Sequence, residues 1–393
     1  MQNSSRKEAS GLGKLDTRAI HGARGPRTNG AAVLPVHNSV TYGFNGKAKD
    51  GKWGYTRPAD TPNHDALAAK MAVLEGTEDA VVTSSGMAAI ASTLITLLRP
   101  GDHLMIQANV YGGTHELVHH EFPALNIKHT LVDPMDSSKW DDALQPSTKV
   151  FYVESMSNPL IQVADLTKVT EFCKKHKLTA VVDNTFASPV LCTPADLGFI
   201  VVHSATKFLN GHSDLLAGVV SGPHEFIERV REKMVMYGGC LDPHACFLLN
   251  RGIQTLGLRV RKQCESALAV AQMLEKHPLV EKVYYPGLAG SPHHSVAMKL
   301  FGGRAGGVLS FVLKGSPELT QTFLEHLHLP FVAPSLGGVE SLVTLPAQTS
   351  HLAIGLEGRK AAGIPESLVR LSIGIEDTDD LLQDIQQALS AIS

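Results

Sequence analysis

The sequence predicts an α/β protein with a mainly parallel sheet, and two observations support this fold class. Short apolar runs that suit buried strands alternate with helical patterns between about residues 56 and 250. Polar residues follow several of these runs directly, as expected at the carboxyl ends of parallel strands, where ligands collect. After about residue 250 a long helical stretch, three strand candidates and a closing helix predict a smaller C-terminal α+β domain.

The first 55 residues differ from the rest. Residues 1 to about 15 are polar and are predicted to form a disordered tail, and Thr17 to Tyr55 are rich in Gly, Pro and Asn. We predict an extended arm for this second part. The chain therefore divides into a tail and arm at 1–55, a large α/β domain at 56–250 and the C-terminal domain at 251–393.

In the large domain, apolar and β-branched runs predict five strands: Asp79–Thr83, His103–Ala108, Val150–Val153, Ala180–Val182 and Val201–Val202. Apolar residues at helical spacing predict helices from Asp65 to Leu74, through MAAIASTLITLL after Gly86, after the turn Tyr111–Gly113 and from Leu166 to Lys174. Asp165 is a plausible N-cap for the last of these.

In the C-terminal domain, the patterns predict a helix at Thr255–Glu275, strands at Val283–Tyr284, Val308–Val312 and Leu368–Ile373, and a final helix at Leu381–Ile392. Asp379 and Asp380 precede this last helix, at the end where its dipole favours negative charge.

Composition limits the possible functions. Of 393 residues, 43% are hydrophobic and 19% are charged, and the formal net charge is −3, which does not favour binding to nucleic acid or an anionic membrane. No apolar run reaches the roughly 18 residues of a membrane span. The five cysteines are odd in number and sparse, which favours a reduced cytoplasm over a disulfide framework. The cysteines form no CxxC pair and no histidine cluster has metal-ligand spacing, so we predict no metal.

Lys207 lies just past the strand candidate Val201–Val202, close to Ser204 and Thr206. An ammonium is costly to bury unless it is paired or neutral, and a neutral lysine amine can form a Schiff base with an aldehyde. Taken alone, Lys207 fits better as a lysine that reaches solvent. Ser84–Ser85–Gly86–Met87 similarly fits either a phosphate-binding helix start or an ordinary serine N-cap.

The whole run SATKFLNGHSD, from Ser204 to Asp214, resembles the lysine motif of the Cys/Met-metabolism family of pyridoxal-phosphate (PLP) enzymes. The segments SSGMAA, YGGT, VDNTFA and VRLSIGIED resemble further motifs of this family, and the resemblance covers about Thr17 to Ile392. It implies PLP fold type I, which is aspartate-aminotransferase-like, and a homotetramer built from two catalytic dimers.

The resemblance also implies roles for individual residues. Lys207 and Tyr111 would be catalytic, and Tyr55 and Arg57 would reach the phosphate of the neighbouring subunit. Substrate would meet Asn158, Ser335, Glu340 and Arg370, although a solvated charge explains Glu340 equally well. The implied cofactor-binding residues are Tyr55, Arg57, Gly86, Met87, Tyr111, Asp183, Ser204, Thr206 and Lys207.

Two departures from the family pattern stand out. Gly113 occupies the position where methionine γ-lyases of this family carry cysteine, which counts against a methionine-specific lyase. Many relatives have H-x-x-N-A where this chain has Gln263 to Ala267 (QCESA), and the sequence assigns no function to this difference.

The predicted function is that of a PLP-dependent lyase of sulfur amino-acid metabolism acting on a small amino-acid substrate. The first hypothesis is α,γ-elimination of L-cystathionine, as in cystathionine γ-lyase. Cystathionine γ-synthase with O-acyl-homoserine, cystathionine β-lyase and methionine γ-lyase remain as alternatives. A non-catalytic scaffold is the alternative from another class.

Overall fold

A computed structural model describes residues 13–22, 30–43, 55, 57, 60–352 and 354–392, so most of the predicted tail lies outside the described residues. Two sheets organise the described chain, one of seven strands and one of five. No helix in this part of the chain has the length and apolar character needed to cross a membrane.

The larger sheet contains the predicted strands and two more. Its strands are β1 (Asp79–Thr83), β2 (His103–Gln107), β3 (Lys128–Val132), β4 (Thr148–Glu154), β5 (Thr179–Asp183), β6 (Ile200–Ser204) and β7 (Gly218–Gly222). Their spatial order is β1-β7-β6-β5-β4-β2-β3. All pairs from β6 to β3 are parallel, and β7 runs antiparallel to both of its neighbours, so every strand except β7 points the same way. The mainly parallel sheet is thus confirmed.

Helices pack on this sheet through apolar clusters that include Val81, Val150, Val181 and Val202. The α-helices before and within this part are Leu15–His21, Pro62–Glu75, Gly86–Leu97, Gly112–Glu116, Phe122–Ala124, Trp140–Ala143, Leu166–His176, Ser188–Leu191, His224–Tyr237 and Pro243–Ile253. A π-helical turn spans Leu117–Glu121, and 3₁₀ turns span Ser137–Lys139 and Pro194–Leu197.

The smaller sheet is mostly antiparallel, with the spatial order β10-β11-β12-β9-β8. Its strands are β8 (Val280–Tyr284), β9 (Val308–Leu313), β10 (Phe331–Val332), β11 (Leu342–Thr344) and β12 (Leu368–Ser372). The accompanying α-helices are Leu256–Lys276, His294–Leu300, Pro317–Glu325, Gly355–Ala361 and Thr378–Ser390, with a 3₁₀ turn at Pro346–Gln348. The proposed domain boundaries at 56 and 251 stay predictions.

Local chemistry explains where the helices around the site begin and end. The Thr61 side chain accepts from the His64 amide at the start of helix Pro62–Glu75, and Gly76 ends that helix in the left-handed conformation. Asp165 caps helix Leu166–His176 by accepting from the Lys168 amide, as the sequence predicts. Ser85 caps helix Gly86–Leu97 in the same way, through the Ala88 amide.

Three features of the larger sheet and the arm differ from the sequence-based expectations. Strand β3 was missed because KHTLV lies at the sheet edge and is largely accessible, so its composition is mixed. Strand β7 was missed because glycines at both ends made GVVSG resemble a loop. The predicted extended arm begins with a helix, Leu15–His21, whose Ala19 is fully buried.

Candidate active site

The predicted site residues of the large domain follow strands that point the same way. Ser85–Gly86 follows β1, Tyr111 follows β2, Asn158 follows β4 and Lys207 follows β6, while Asp183 is the last residue of β5. Because β1, β2, β4, β5 and β6 share one direction, their carboxyl ends lie along one edge of the sheet. The structure therefore gathers these residues at a single edge.

A continuous chain of hydrogen bonds runs from Lys207 through Ser335 to Arg370 in β12, and from Arg370 to Asn158 beside the larger sheet. The Lys207 Nζ donates to Ser335 Oγ at 2.8 Å, and the carbonyl of Ser335 accepts from Arg370 Nη2 at 2.7 Å. Arg370 Nη1 donates to Asn158 Oδ1 at 2.8 Å. Four predicted site residues from four distant parts of the sequence are thus joined directly.

The charges along this chain are unusual. Burial, reinforced by the nearby Arg370 guanidinium, lowers the pKa of Lys207 to about 8. Burial also lowers the pKa of Arg370 to about 10, which leaves it protonated at neutral pH. The Nε of Arg370 is buried without a hydrogen-bond partner among the described residues. An anionic ligand beside Arg370 would satisfy this donor.

Asp183 is a buried carboxyl with a defined orientation. Its Oδ1 accepts from the Thr185 amide at 2.9 Å and from the Thr185 hydroxyl. The Tyr152 hydroxyl lies 3.5 Å from Oδ2. Burial raises the pKa of Asp183, while the bonds from Thr185, the nearby His203 and the bond from Tyr152 oppose that rise. A cation placed against Asp183 would favour its ionised form.

The start of helix Gly86–Leu97 lies against the end of β6. A Cβ added at Gly86 would fall 2.7 Å from the Cβ of Ser204 and 3.0 Å from its Cα, so only glycine permits this approach. The amides of Gly86 and Met87 belong to the first turn, where helix geometry provides no internal acceptor. Thr206 is close in sequence, but its hydroxyl exchanges hydrogen bonds with the backbone of Ala217.

Tyr111 lies at the start of the short helix Gly112–Glu116, and the residue is 46% exposed. Its amide donates to Glu154 Oε1 at 2.6 Å. A Cβ added at Gly113 would fall 2.7 Å from the Tyr111 ring and 2.9 Å from the sulfur of Met87. The tyrosine ring, Gly113 and Met87 therefore pack closely together.

Three predicted site residues, Tyr55, Arg57 and Glu340, are not part of the hydrogen-bonded chain around Lys207. Tyr55 forms an isolated bridge with Thr41, and the Arg57 guanidinium carbon lies 5.2 Å from the centre of its ring. Within the described residues, neither side chain bonds to the strand-end groups. Glu340 accepts a hydrogen bond from the Ser213 hydroxyl on the exposed side of the protein.

A cavity of about 570 Å³ opens beside Ser335. Its polar lining includes Thr206, Ser213 and Glu340, and Leu216 and Phe331 contribute apolar surface. The cavity has room for an amino-acid side chain beyond the Lys207–Ser335 contact.

Sequence reasoning missed several residues that shape the site. Thr185 orients Asp183, Glu154 holds Tyr111, and the pKa of the buried His351 is lowered to about 4 by burial and by Arg370. The unexplained Gln263 donates to the Gly338 carbonyl at 2.7 Å, within the loop that carries Ser335 and Glu340. Thr185 lies within the VDNTFA motif and could have been noticed, whereas the roles of Glu154, His351 and Gln263 depend on contacts with distant parts of the chain.

A model of the family described as Cys/Met metabolism PLP-dependent enzyme matches residues 16–390. This chain belongs to that family. It is a PLP-dependent enzyme of sulfur amino-acid metabolism, a lyase or transferase of the trans-sulfuration type, as the sequence motifs implied.

Relatives of several specificities are about equally similar to this chain. It is 41% identical to L-methionine gamma-lyase of Pseudomonas putida over 95% of this chain and 97% of that protein. It is also 41% identical to cystathionine gamma-lyase of Bacillus subtilis (strain 168), over 96% of this chain and 100% of that protein.

Solved structures of related enzymes confirm the fold. Cystathionine gamma-lyase from Lactobacillus plantarum, complexed with L-serine, matches with a TM-score of 0.92 and 35% identity, covering 97% of this chain and 99% of that one. Cystathionine gamma synthase from Xanthomonas oryzae pv. oryzae matches with a TM-score of 0.93 and 38% identity, covering 97% and 98%.

The residues present fit the cofactor of this family. A half-buried lysine with a lowered pKa suits covalent attachment of an aldehyde, and a buried carboxyl suits a pyridinium. The first-turn amides suit a phosphate, because Gly86 has no side chain and lets the start of the helix approach Ser204 closely.

Proposed function

We propose that this protein catalyses α,γ-elimination of L-cystathionine, in which cystathionine and water give cysteine, 2-oxobutanoate and ammonia. The polar chain from Lys207 through Ser335 to Arg370 carries this proposal. It places the Lys207 amine and the Arg370 guanidinium on either side of Ser335. In an α-amino acid the reacting α-carbon carries both an amino group and a carboxylate, so Lys207 would act at that carbon while Arg370 binds the carboxylate. The relationship to cystathionine gamma-lyase of Bacillus subtilis supports the choice of substrate.

When bound, PLP supplies an aldehyde that takes up amines and a ring that accepts the electron pair left by a departing α-proton. We assign its covalent attachment to Lys207 and its pyridine nitrogen to Asp183. The half-buried Lys207 and the buried Asp183 support these roles because each group is already held by hydrogen bonds in a fixed place.

We assign the phosphate to the helix start beside β6. The amides of Gly86 and Met87 point out of the first turn, and Ser204 lies against Gly86. Thr206 would join them once its bonds to Ala217 are exchanged. Tyr111, which follows β2 at the same edge of the sheet, would stack on the ring and offer its hydroxyl for proton transfer.

Lys207 is the proposed base. With a pKa of about 8, an appreciable fraction of its amine is neutral near neutral pH, so it can take the α-proton. The same amine can then move protons between the α and γ sides of the substrate as the sulfur leaves. Ser335 holds the amine between these transfers through its hydroxyl.

Arg370 and Asn158 would bind the substrate carboxylate, with the free Nε of Arg370 as an available donor. The distal part of the substrate would enter the cavity towards Ser213 and Glu340. Glu340 would accept a hydrogen bond from the distal amino group of cystathionine, which methionine lacks.

We propose a homotetramer of catalytic dimers, in which Tyr55 and Arg57 complete the phosphate site of the neighbouring subunit. Their stacked arrangement, separate from this chain's own strand-end groups, supports that role. Large apolar side chains also remain exposed for an interface: Leu216, Met236, Tyr237, Leu258 and Phe331. All five cysteines are free, which supports a reduced cytoplasm as the compartment.

The competing specificities are separated by their products. We expect the purified protein to release 2-oxobutanoate from L-cystathionine. Pyruvate in its place would identify a β-lyase, and turnover only of O-acyl-homoserine with cysteine would identify a γ-synthase. Preference for L-methionine would identify a methionine γ-lyase, although Gly113 leaves no space for a cysteine side chain unless Tyr111 and Met87 move.

The catalytic assignment itself is tested at Lys207. Borohydride reduction followed by peptide mapping should find the pyridoxyl group on Lys207, and K207A should lose turnover while keeping its circular dichroism in the far ultraviolet. A pyridoxyl group on another lysine, or full turnover by K207A, would refute the assignment. A protein that takes up no PLP would point to the non-catalytic scaffold.

A further inference from the structure

Glu154, the last residue of β4, is a buried carboxyl that the sequence motifs did not single out. It is 4% exposed. Strands β4 and β5 pair in parallel with Glu154 opposite Asp183 in register. The two residues therefore stand side by side on neighbouring strands, at the edge where the site residues gather.

The contacts of Glu154 run towards Tyr111. Its Oε1 accepts from the Tyr111 amide at 2.6 Å, the hydrogen bond that fixes the start of helix Gly112–Glu116. The Glu154 amide donates to Gln107 Oε1 at 3.0 Å, and Gln107 Nε2 donates to the Asn109 carbonyl at 3.0 Å. The turn that carries Tyr111 is thus tied to the end of β4 at two points.

The electrostatics favour a neutral Glu154. Burial raises its pKa well above the usual range, and the neighbouring Asp183 raises it further, whereas the amides of Tyr111 and Asn158 act in the opposite direction. Tyr152, also buried, faces the same pair. Two carboxyls so placed do not readily ionise together, and a pyridinium beside Asp183 would draw the negative charge to that member.

We propose that Glu154 is a positioning residue that, in its neutral form, holds Tyr111 over the cofactor ring and leaves the negative charge of the carboxyl pair on Asp183. This role rests on the proposed function, since it places a pyridoxal ring between Tyr111 and Asp183. A neutral carboxyl accepts the Tyr111 amide through its carbonyl oxygen, and a glutamine amide offers the same oxygen.

The test compares Glu154→Gln with Glu154→Ala in apoprotein that is titrated with PLP. We expect E154A to bind PLP about tenfold more weakly, because the Tyr111 amide loses a buried partner. The visible circular dichroism of the bound cofactor should also change, because the stacked ring moves. E154Q should restore both the affinity and the dichroism towards the wild-type values.

Asp384→Asn provides a matched control. Asp384 is a buried carboxyl that accepts the amides of His328 and Leu329, away from the sheet edge. D384N should leave PLP affinity and visible dichroism at their wild-type values. If E154A does not fold, Glu154→Met, which fills similar volume without an acceptor, takes its place with the same expectation.

Two results would overturn the positioning role. One is wild-type PLP affinity and visible circular dichroism in E154A, or in E154M where that variant replaces it. The other is an E154Q protein as impaired as that variant, which would mean that the negative charge itself is required. A wild-type protein that takes up no PLP at all would instead overturn the proposed function, so the two failures are distinguishable.

Discussion

At the scale of single residues, the lowered pKa of Lys207 follows from its surroundings. The amine is half-buried, donates to Ser335 and lies in the field of Arg370, and all of these features are fixed before any ligand arrives. Burial and a like charge both disfavour the ammonium, so the neutral amine forms at a lower pH than in an exposed lysine.

This environment predicts the pH dependence of cofactor uptake. The rate of covalent attachment of PLP to the apoprotein should rise with pH about a midpoint near 8, because only the neutral amine is a nucleophile. Arg370→Gln removes a positive charge and should move the midpoint upward. Stopped-flow absorbance would measure both proteins.

The sign of the effect is fixed by the direction of the pKa shift. Below the lowered pKa the ammonium dominates and attachment slows, and above it the rate reaches a plateau. A wild-type midpoint near that of a free lysine, about 10.4, would contradict the buried environment. An unchanged midpoint in R370Q would contradict the contribution of Arg370.

Some of the candidate site residues could be predicted from the sequence, and others could not. Lys207, Asp183 and Arg370 lie inside continuous motifs, so their proposed roles could be predicted from the sequence. Gln263 could not be interpreted, because its partner, the Gly338 carbonyl, lies 75 residues away. Only the fold reveals that Gln263 supports the loop of Ser335 and Glu340.

At the scale of elements, the proposed phosphate site depends on how closely one helix approaches one strand. Gly86 opens helix Gly86–Leu97 against Ser204 at the end of β6, with no room for a side chain between them. Because phosphate needs amides and hydroxyl together, the spacing between helix and strand sets the geometry of binding.

Gly86→Ala should therefore weaken PLP binding. Its Cβ would fall 2.7 Å from the Ser204 Cβ, and the helix start or the strand end must shift to accommodate it. We expect the dissociation constant of PLP to rise by about ten- to a hundredfold, as for the loss of one hydrogen bond to a charged group. Fluorescence titration of the apoprotein would measure the change.

Gly222→Ala is the matched control, since an added Cβ at the end of β7 meets its nearest neighbours at 3.7 Å, an ordinary contact. Equal weakening by G222A would show a general loss of stability instead of a local effect. Unchanged affinity in G86A would remove the helix start from the proposed phosphate site.

Element boundaries were predictable where the local chemistry is strong. Strand β1 lies where the sequence predicts it, and helix Pro62–Glu75 ends one residue beyond the predicted Leu74. Strands β10 and β11 were not predicted, because two or three residues are too few for a periodic pattern. They pair with each other, and β11 also pairs with β12.

At the scale of the whole molecule, the site joins two sheets. Arg370 in β12 reaches Asn158 beyond β4, and the Ser310 hydroxyl of β9 donates to the Pro159 carbonyl at 2.7 Å. The smaller sheet thus supplies part of the site, although Tyr55 and Arg57 make no such contact with the described strand ends. A second copy of the chain is the proposed destination of these two side chains.

Subunit mixing tests this arrangement. R57A and K207A should each have little activity, because each defect affects every site of its own homodimer. In a mixed dimer, one site receives an intact Lys207 from one chain and an intact Arg57 from the other. Reassembly of equal amounts should recover about a quarter of the wild-type sites, since half of randomly formed dimers are mixed and each has one complete site.

Enzyme assays before and after reassembly would measure the recovery. Wild-type protein treated in parallel controls for losses during reassembly. No recovery, despite mixed dimers detected by native mass spectrometry, would place Arg57 in the site of its own chain. High activity of R57A alone would exclude Arg57 from the phosphate site.

The single serine between Lys207 and Arg370 has a consequence for stereochemistry. The backbone at Ser335 has a φ of 92°, in the left-handed region, and its hydroxyl and carbonyl face the two cations. In the proposed binding mode, these two groups and the cavity towards Glu340 would lie in three different directions from the α-carbon of the substrate. Three different contacts distinguish a chiral molecule from its mirror image, so this binding mode implies that one enantiomer is selected before any bond is broken.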